Sequence, residues 1–175
     1  CELTHCTEND DQRKLLDERE AQLFEDYGET WLEPLRQLGA LGVSVRYFRR
    51  GLLEHLKIST ADFLQHAETL CQMEPALSRV QLVKFSPHIN EFAAAEFPAQ
   101  ITAFDLSANQ LISEECEVLA TSRMTSRIKE LDLKFNRLEA AGLSDLLAIN
   151  WPSLERLDLS SNRLGPAGAE VLARQ

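Results

Sequence analysis

A chain of 175 residues suffices for one domain whose core hides roughly 70% of the extended-chain surface. Apolar residues at 44% and charged residues at 26% are the balance of a folded globular domain rather than a disordered one, and no run approaches the ~18 apolar residues of a membrane span. The formal charge of −10 counts against a nucleic-acid-binding surface, which shows as a basic face, and against adsorption to an anionic membrane.

Residues 1–42 concentrate this charge, with 11 acidic and 4 basic side chains; the remainder is nearly balanced. The chain starts at Cys1 with no charged leader or apolar h-region. The expectation is a cut from a longer protein or a processed N-terminus, with a lipid anchor on Cys1 as the alternative. Cys1, Cys6, Cys71 and Cys116 form no CxxC pair, so they are expected to be reduced thiols in a cytoplasmic protein.

Residues 9–27 are expected to be helical. Asn9 can cap, Asp10 and Asp11 suit the positive end of the helix dipole, and Leu15, Leu16, Leu23, Phe24 and Tyr27 form an apolar stripe that Gly28 ends. Trp31, Leu32, Leu35 and Leu38 suggest a second short helix, with Pro34 in its first turn. Val43 to Phe48 alternates as a half-buried strand does, Arg49-Arg50-Gly51 turns, and Leu52 to Ile58 returns as the hairpin partner. Residues 1–52 therefore read as a helical N-terminal cap with a strand, and residues 53–175 as a second unit.

That second unit is a repeat. L-x-x-L-x-L recurs as Leu53, Leu56, Ile58; Leu77, Val80, Leu82; Ile101, Phe104, Leu106; Ile128, Leu131, Leu133; and Leu154, Leu157, Leu159. Five strands are predicted, near 53–58, 77–82, 101–106, 128–133 and 154–159. Eight residues after the first apolar position, the last three copies carry Asn109, Asn136 and Asn162; the first two carry Ala61 and Phe85 there, as atypical starting turns. In L-x-L both apolar side chains point to one face, and one turn cannot cover its own leucines, so successive turns must stack. The asparagine stands where the chain bends off the strand, positioned to pair backbone groups that would otherwise be buried without partners. Helical returns are expected over Ser59 to Gln72, Ser113 to Ala120, Ala140 to Ile149 and Ala167 to Gln175, with Ser59 and Ser113 as caps. Gly142 and Gly168 recur six residues after the asparagine, where the third copy has Glu115.

The stretch L-D-L-S-S-N-R-L-G-P-A-G-A-E-V-L-A at 157–173 resembles the ribonuclease-inhibitor-like class of leucine-rich repeats, as do L-D-L-K-F-N-R-L-E-A-A-G-L at 131–143 and F-D-L-S-A-N-Q-L at 104–111. W-L-E-P-L-R-Q-L-G at 31–39, with V-R-Y-F-R-R-G-L-L-E-H-L-K-I-S at 45–59, is similar to the C-terminal part of a bacterial repeat-companion domain. The resemblance implies an α/β, right-handed leucine-rich-repeat solenoid, with short parallel strands on the concave side and helices on the convex side. It is specific for fold and nearly silent on activity.

Catalytic signatures are missing: no nucleophile elbow, no phosphate-binding glycine loop, no H-E-x-x-H and no Cys/His set at metal-ligand spacing. No cofactor is expected. Cys116 occupies a site filled by Leu143 and Ala169 in later copies, and reads as core. The exposed face of the sheet remains. One column across it reads His55, Arg79, Ala103, Glu130, Arg156 and the next Lys57, Gln81, Asp105, Asp132, Asp158. Past the strand come Lys134 and its equivalents, then Thr60, Lys84, Ala108, Phe135 and Ser161. Candidate partner-binding residues are Arg79, Gln81, Asp105, Glu130, Asp132, Lys134, Phe135, Arg156 and Asp158. Stacked aspartates suit a protein partner with a basic surface, unless the neighbouring cations neutralise them, and Phe135 at the rim is an interface type of side chain. The primary expectation is a non-catalytic protein-binding module. The alternatives are a recognition fragment of a larger enzyme or regulator, and a scaffold that self-associates through its exposed solenoid ends.

Overall fold

The computed structural model describes residues 14–16, 18–19, 21–23, 25–28, 33, 44–49 and 52–174, with 44–49 as backbone alone. The described positions of 14–28 are helical, Gly28 included. Leu15, Leu16 and Tyr27 are exposed there, so these members of the expected apolar stripe are not buried. The proposed cap at Asn9 and, apart from the helical Glu33, the second helix near 31–38 lie outside the described residues.

Among the described residues six strands follow: β1 (Ser44–Arg49), β2 (Leu52–Ser59), β3 (Arg79–Val83), β4 (Ala103–Asp105), β5 (Glu130–Asp132) and β6 (Arg156–Asp158). They form one sheet in chain order. β1 pairs antiparallel with β2, with irregular register near Tyr47, and every later pair is parallel. The sheet is continuous across residue 52. Between the parallel strands run α1 (Thr60–Met73), α2 (Ile89–Ala94), α3 (Ser113–Ala120) and α4 (Ala140–Ala148), and α5 (Gly165–Leu172) follows β6. This is an α/β repeat of five parallel strands alternating with helices, the architecture of a leucine-rich-repeat solenoid.

The recurring apolar positions make the core. Leu53, Leu56, Ile58, Leu77, Val80, Leu82, Ile101, Phe104, Leu106, Ile128, Leu131 and Leu133 are all buried, while Leu154, Leu157 and Leu159 of the last turn are partly so. Each full burial is worth about 1.5–3 kcal/mol against exposure, and only the neighbouring turn supplies it. Phe63, Phe85, Phe92, Phe97 and Phe104 form a continuous aromatic cluster, with centroids 4.7 to 5.9 Å apart. Phe85, at the asparagine position of the second turn, thus puts core packing where the later turns have the asparagine's hydrogen bonds. Ala61 is instead exposed within α1, because the first turn passes from strand straight into helix.

Ser59 caps α1: its hydroxyl accepts the Asp62 N–H at 3.2 Å. Ser113 does not cap α3. Ile112 holds that position, and the Glu115 carboxylate reaches back to accept the Ile112 N–H at 2.8 Å. The Ser113 hydroxyl accepts the Glu139 N–H of the next turn, at 3.1 Å. Glu115 thus takes over the cap in the turn that lacks the recurring glycine. The final helix begins at Gly165, two residues before the expected start, and α2, preceded by a 3-10 turn at Ser86–His88, lies in a stretch where no helix was expected.

Candidate functional site

The asparagines tie the turns together. Asn136 donates to Leu106 O at 3.0 Å and Leu133 O at 2.9 Å, and its Oδ1 accepts the Asn109 and Leu111 N–H groups at 3.1 and 2.9 Å. Asn109 donates to Leu82 O at 2.8 Å and accepts Phe85 N–H at 3.0 Å. Asn162 donates to Leu133 O and Leu159 O, both at 2.9 Å, and accepts Leu138 N–H at 3.1 Å. Each amide therefore satisfies backbone groups of its own bend and of the turn before it. Gln100 makes a comparable junction: its Nε2 faces the carbonyls of Cys71, Glu74 and Leu77 at the end of α1.

With the turns held in this way, the strand register aligns the predicted columns. His55, Arg79, Ala103, Glu130 and Arg156 are successive partners, as are Lys57, Gln81, Asp105, Asp132 and Asp158. All of these but Ala103, Lys57 and Gln81 line a concave pocket of about 330 Å³, together with Leu131 and Lys134. Arg79 forms an ion pair with Glu130, although β4 lies between their strands. It spans two strand spacings, ~10 Å, because Ala103 between them carries only a methyl group. Arg156 lies exposed next to Glu130.

The aspartates have a local task. Asp105, Asp132 and Asp158 each accept, through Oδ1, the N–H two residues on, from Ser107, Lys134 and Ser160 at 2.9, 3.0 and 3.0 Å. This Asx-type closure ends the strand. Asp158 also accepts the Ser160 hydroxyl at 2.6 Å, and the two Ser160 contacts hold its carboxyl below the usual range, helped by Lys134 and Arg156. Lys134 Nζ lies 3.2 Å from Asp132 Oδ2. Its pKa is raised by that hydrogen bond first, then by the charges of Asp132, Asp105 and Asp158. Lys129 pairs with Glu155 instead. The pocket wall holds Arg79, Lys134 and Arg156 against Asp105, Glu130, Asp132 and Asp158, so the acidic stripe is largely offset.

Two residues depart from the expected surface. Gln81 is only 8% exposed; its Nε2 is 3.4 Å from Ser107 Oγ, and among the described residues its Oε1 accepts no hydrogen bond. With so little exposed surface it offers little to a partner. Thr60 is buried at the start of α1, where its hydroxyl donates to Val83 O at 3.0 Å, and it leaves the rim column.

The rest of that column is more informative. Lys84, Ala108, Phe135 and Ser161 all adopt left-handed backbone, with φ of 55 to 56°. The bend after each strand requires it, and their amides stack: Ala108 N–H donates to Lys134 O and Phe135 N–H to Ser160 O, both at 3.1 Å. A left-handed conformation costs an L-residue roughly 1–2 kcal/mol, and a bulky ring is an unusual choice there. Phe135 nevertheless carries one, 61% exposed. Residue type alone marked Phe135 as a rim aromatic; its strain was not readable from the sequence.

Cys71 and Cys116 are buried free thiols, pushed up to about 11 and about 12 by burial. Cys1 and Cys6 lie outside the described residues. Among the described residues, no group of three or more His, Cys, Asp or Glu is placed to hold a metal ion, and no helix is long and apolar enough to cross a membrane.

The Leucine Rich repeat family matches residues 128–147 and 152–173, the turns built by β5 with α4 and β6 with α5. Comparison with curated protein sequences finds no match.

Proposed function

We propose that this leucine-rich-repeat chain is a non-catalytic protein-binding module whose concave face, with Phe135 at its rim, receives another polypeptide. Repeats of this kind generally serve protein interaction. The observation that carries the reading here is Phe135: a large apolar side chain held exposed on a strained bend. Strain of this sort is retained where the side chain has a use, and exposed aromatics anchor interfaces. Charges of both signs in the adjacent pocket favour a partner that presents both signs, rather than the basic surface expected from the aspartates. Residues 1–52 serve, in this reading, as a companion unit at the start of the solenoid.

A photo-reactive phenylalanine analogue at position 135 tests the site, with the same group at Glu117 on the convex α3 as control. Position 135 should give a discrete adduct in extracts of the native cell, and excess unlabelled wild-type chain should suppress it. A Phe135→Gly competitor should not. Equal suppression by both competitors rejects the concave-rim reading. Because glycine relieves the left-handed strain, Phe135→Gly should keep or gain stability, by up to ~1 kcal/mol in urea unfolding.

A further inference from the structure

Among the described residues, the outer edge of β6 has no neighbouring strand. In each earlier turn a fixed set of backbone groups reaches forward: Leu106 N–H to Asp132 O and Leu133 N–H to Asp158 O, both at 2.8 Å, while Thr102 O and Lys129 O accept from Lys129 and Glu155 N–H. Carried to β6, the same positions are Leu159 N–H and Glu155 C=O, with Leu157 between them by strand alternation. β6 is the last strand of the sheet, and among the described residues no backbone group meets these. Beside them, Leu154, Leu157, Leu159 and Leu164 rest on the core from one side alone, and Leu172 is 47% exposed.

We propose that β6 pairs antiparallel with β6 of a second copy about a two-fold axis at Leu157, making a homodimer with one continuous sheet. The occupant follows from the strand's own sequence, Arg-Leu-Asp. In that register the two Leu157 residues exchange both backbone bonds, and each Leu159 N–H meets the Glu155 C=O of the other copy. Arg156 of each copy lies directly opposite Asp158 of the other, on the concave side, as close cross-strand pairs do. Charge supports approach as well. Residues 151–175 carry three basic and three acidic side chains, whereas the chain carries −10, so the meeting ends are neutral. An isologous contact of this kind closes on itself instead of growing into a filament. The dimer does not rest on the concave-face function: Phe135 lies a turn back from the edge.

Sedimentation velocity of the 175-residue chain, from micromolar to hundreds of micromolar, reads the association directly. Wild type should shift from monomer to dimer. Arg156→Asp sets Asp against Asp, and Asp158→Arg sets Arg against Arg; each should raise the dissociation constant about tenfold or more. Mixed together, the two variants restore both opposite-charge pairs, and a heterodimer should form at concentrations where each alone is monomeric. Far-UV circular dichroism confirms that each variant is folded, and the mixture guards against the loss of the Asp158 bend contacts. A wild-type chain monomeric throughout overturns the proposal and leaves the edge to a further repeat turn. A dimer indifferent to both substitutions, or lost in Phe135→Gly, overturns it too, by placing the interface elsewhere.

Discussion

Asn136 is the residue on which two turns depend at once. It is 6% exposed, and its side chain serves two carbonyls and two N–H groups. Leaving such groups without partners costs ~1–3 kcal/mol each before relaxation, so Asn136→Ala should cost about 3 kcal/mol in urea unfolding. Asn162→Ala, on the half-exposed last turn, should cost about 1 kcal/mol; equal losses would remove the inter-turn role. The buried thiols give a pH signature. The Cys116 thiol ionises near 9.0 in an ordinary setting and near 12 here, because burial disfavours the thiolate and Asp145, Glu115 and Glu114 add to it. A raised folded pKa means that the contribution is whole below the unfolded value and is lost as pH climbs toward the folded one. Stability should therefore fall above pH 9, by up to ~1.4 kcal/mol per pH unit for this group. Cys116→Ala should be less stable at neutral pH yet show a shallower alkaline decline in its thermal midpoint; parallel declines would contradict the assignment.

Among the elements, the helices are spaced by their smallest residues. A Cβ on Gly142 in α4 would stand 2.8 Å from Ser113 Cα of α3, which is backbone and cannot swing aside. Gly142→Ala recovers ~1 kcal/mol of helix propensity but must push two turns apart, and overpacking of that kind costs ~1–3 kcal/mol. The expected net is a loss of about 1 kcal/mol in urea unfolding; a gain would show that the helices are free to separate. The recurrence of glycine at one repeat position was legible in the sequence, as the strands were in L-x-x-L-x-L, but it suggested a bend there, whereas Gly142 and Gly168 lie inside α4 and α5. The α2 segment was not legible, because the second turn replaces the asparagine bend with Phe85. Its i, i+3, i+4 pattern at Ile89, Phe92 and Ala93 was the available signal. Ser113 misled for a different reason. A serine before a helix resembles a cap, but its hydroxyl was committed to Glu139 of the next turn, a contact that no local pattern encodes. Gln81 likewise proved buried: alternation identifies the face of a strand, not how exposed each residue on that face is.

Across the whole molecule, a solenoid has neighbours but no centre, so its stability grades along its length. Leu106 and Leu133 are fully buried while Leu157 and Leu159 are not, and the last turn should open at lower free energy than the turns between β2 and β5. Amide exchange measured in dilute solution should therefore be slowest at Leu106, whose acceptor Asp132 O lies inside the stack. Leu133 should follow, since its acceptor Asp158 O leaves with the fraying turn, and Leu159 should be fastest. Raising the concentration discriminates further. Pairing of β6 edges would give Leu159 N–H an acceptor and hold Asp158 in place, so exchange at Leu159 and Leu133 should slow together while Leu106 keeps its rate. Binding at the concave rim alone would leave Leu159 fast, because Phe135 projects from the bend and not from the edge. The same three amides thus separate an end-to-end contact from a docked partner, and uniform protection along the chain would mean that the turns unfold as one block.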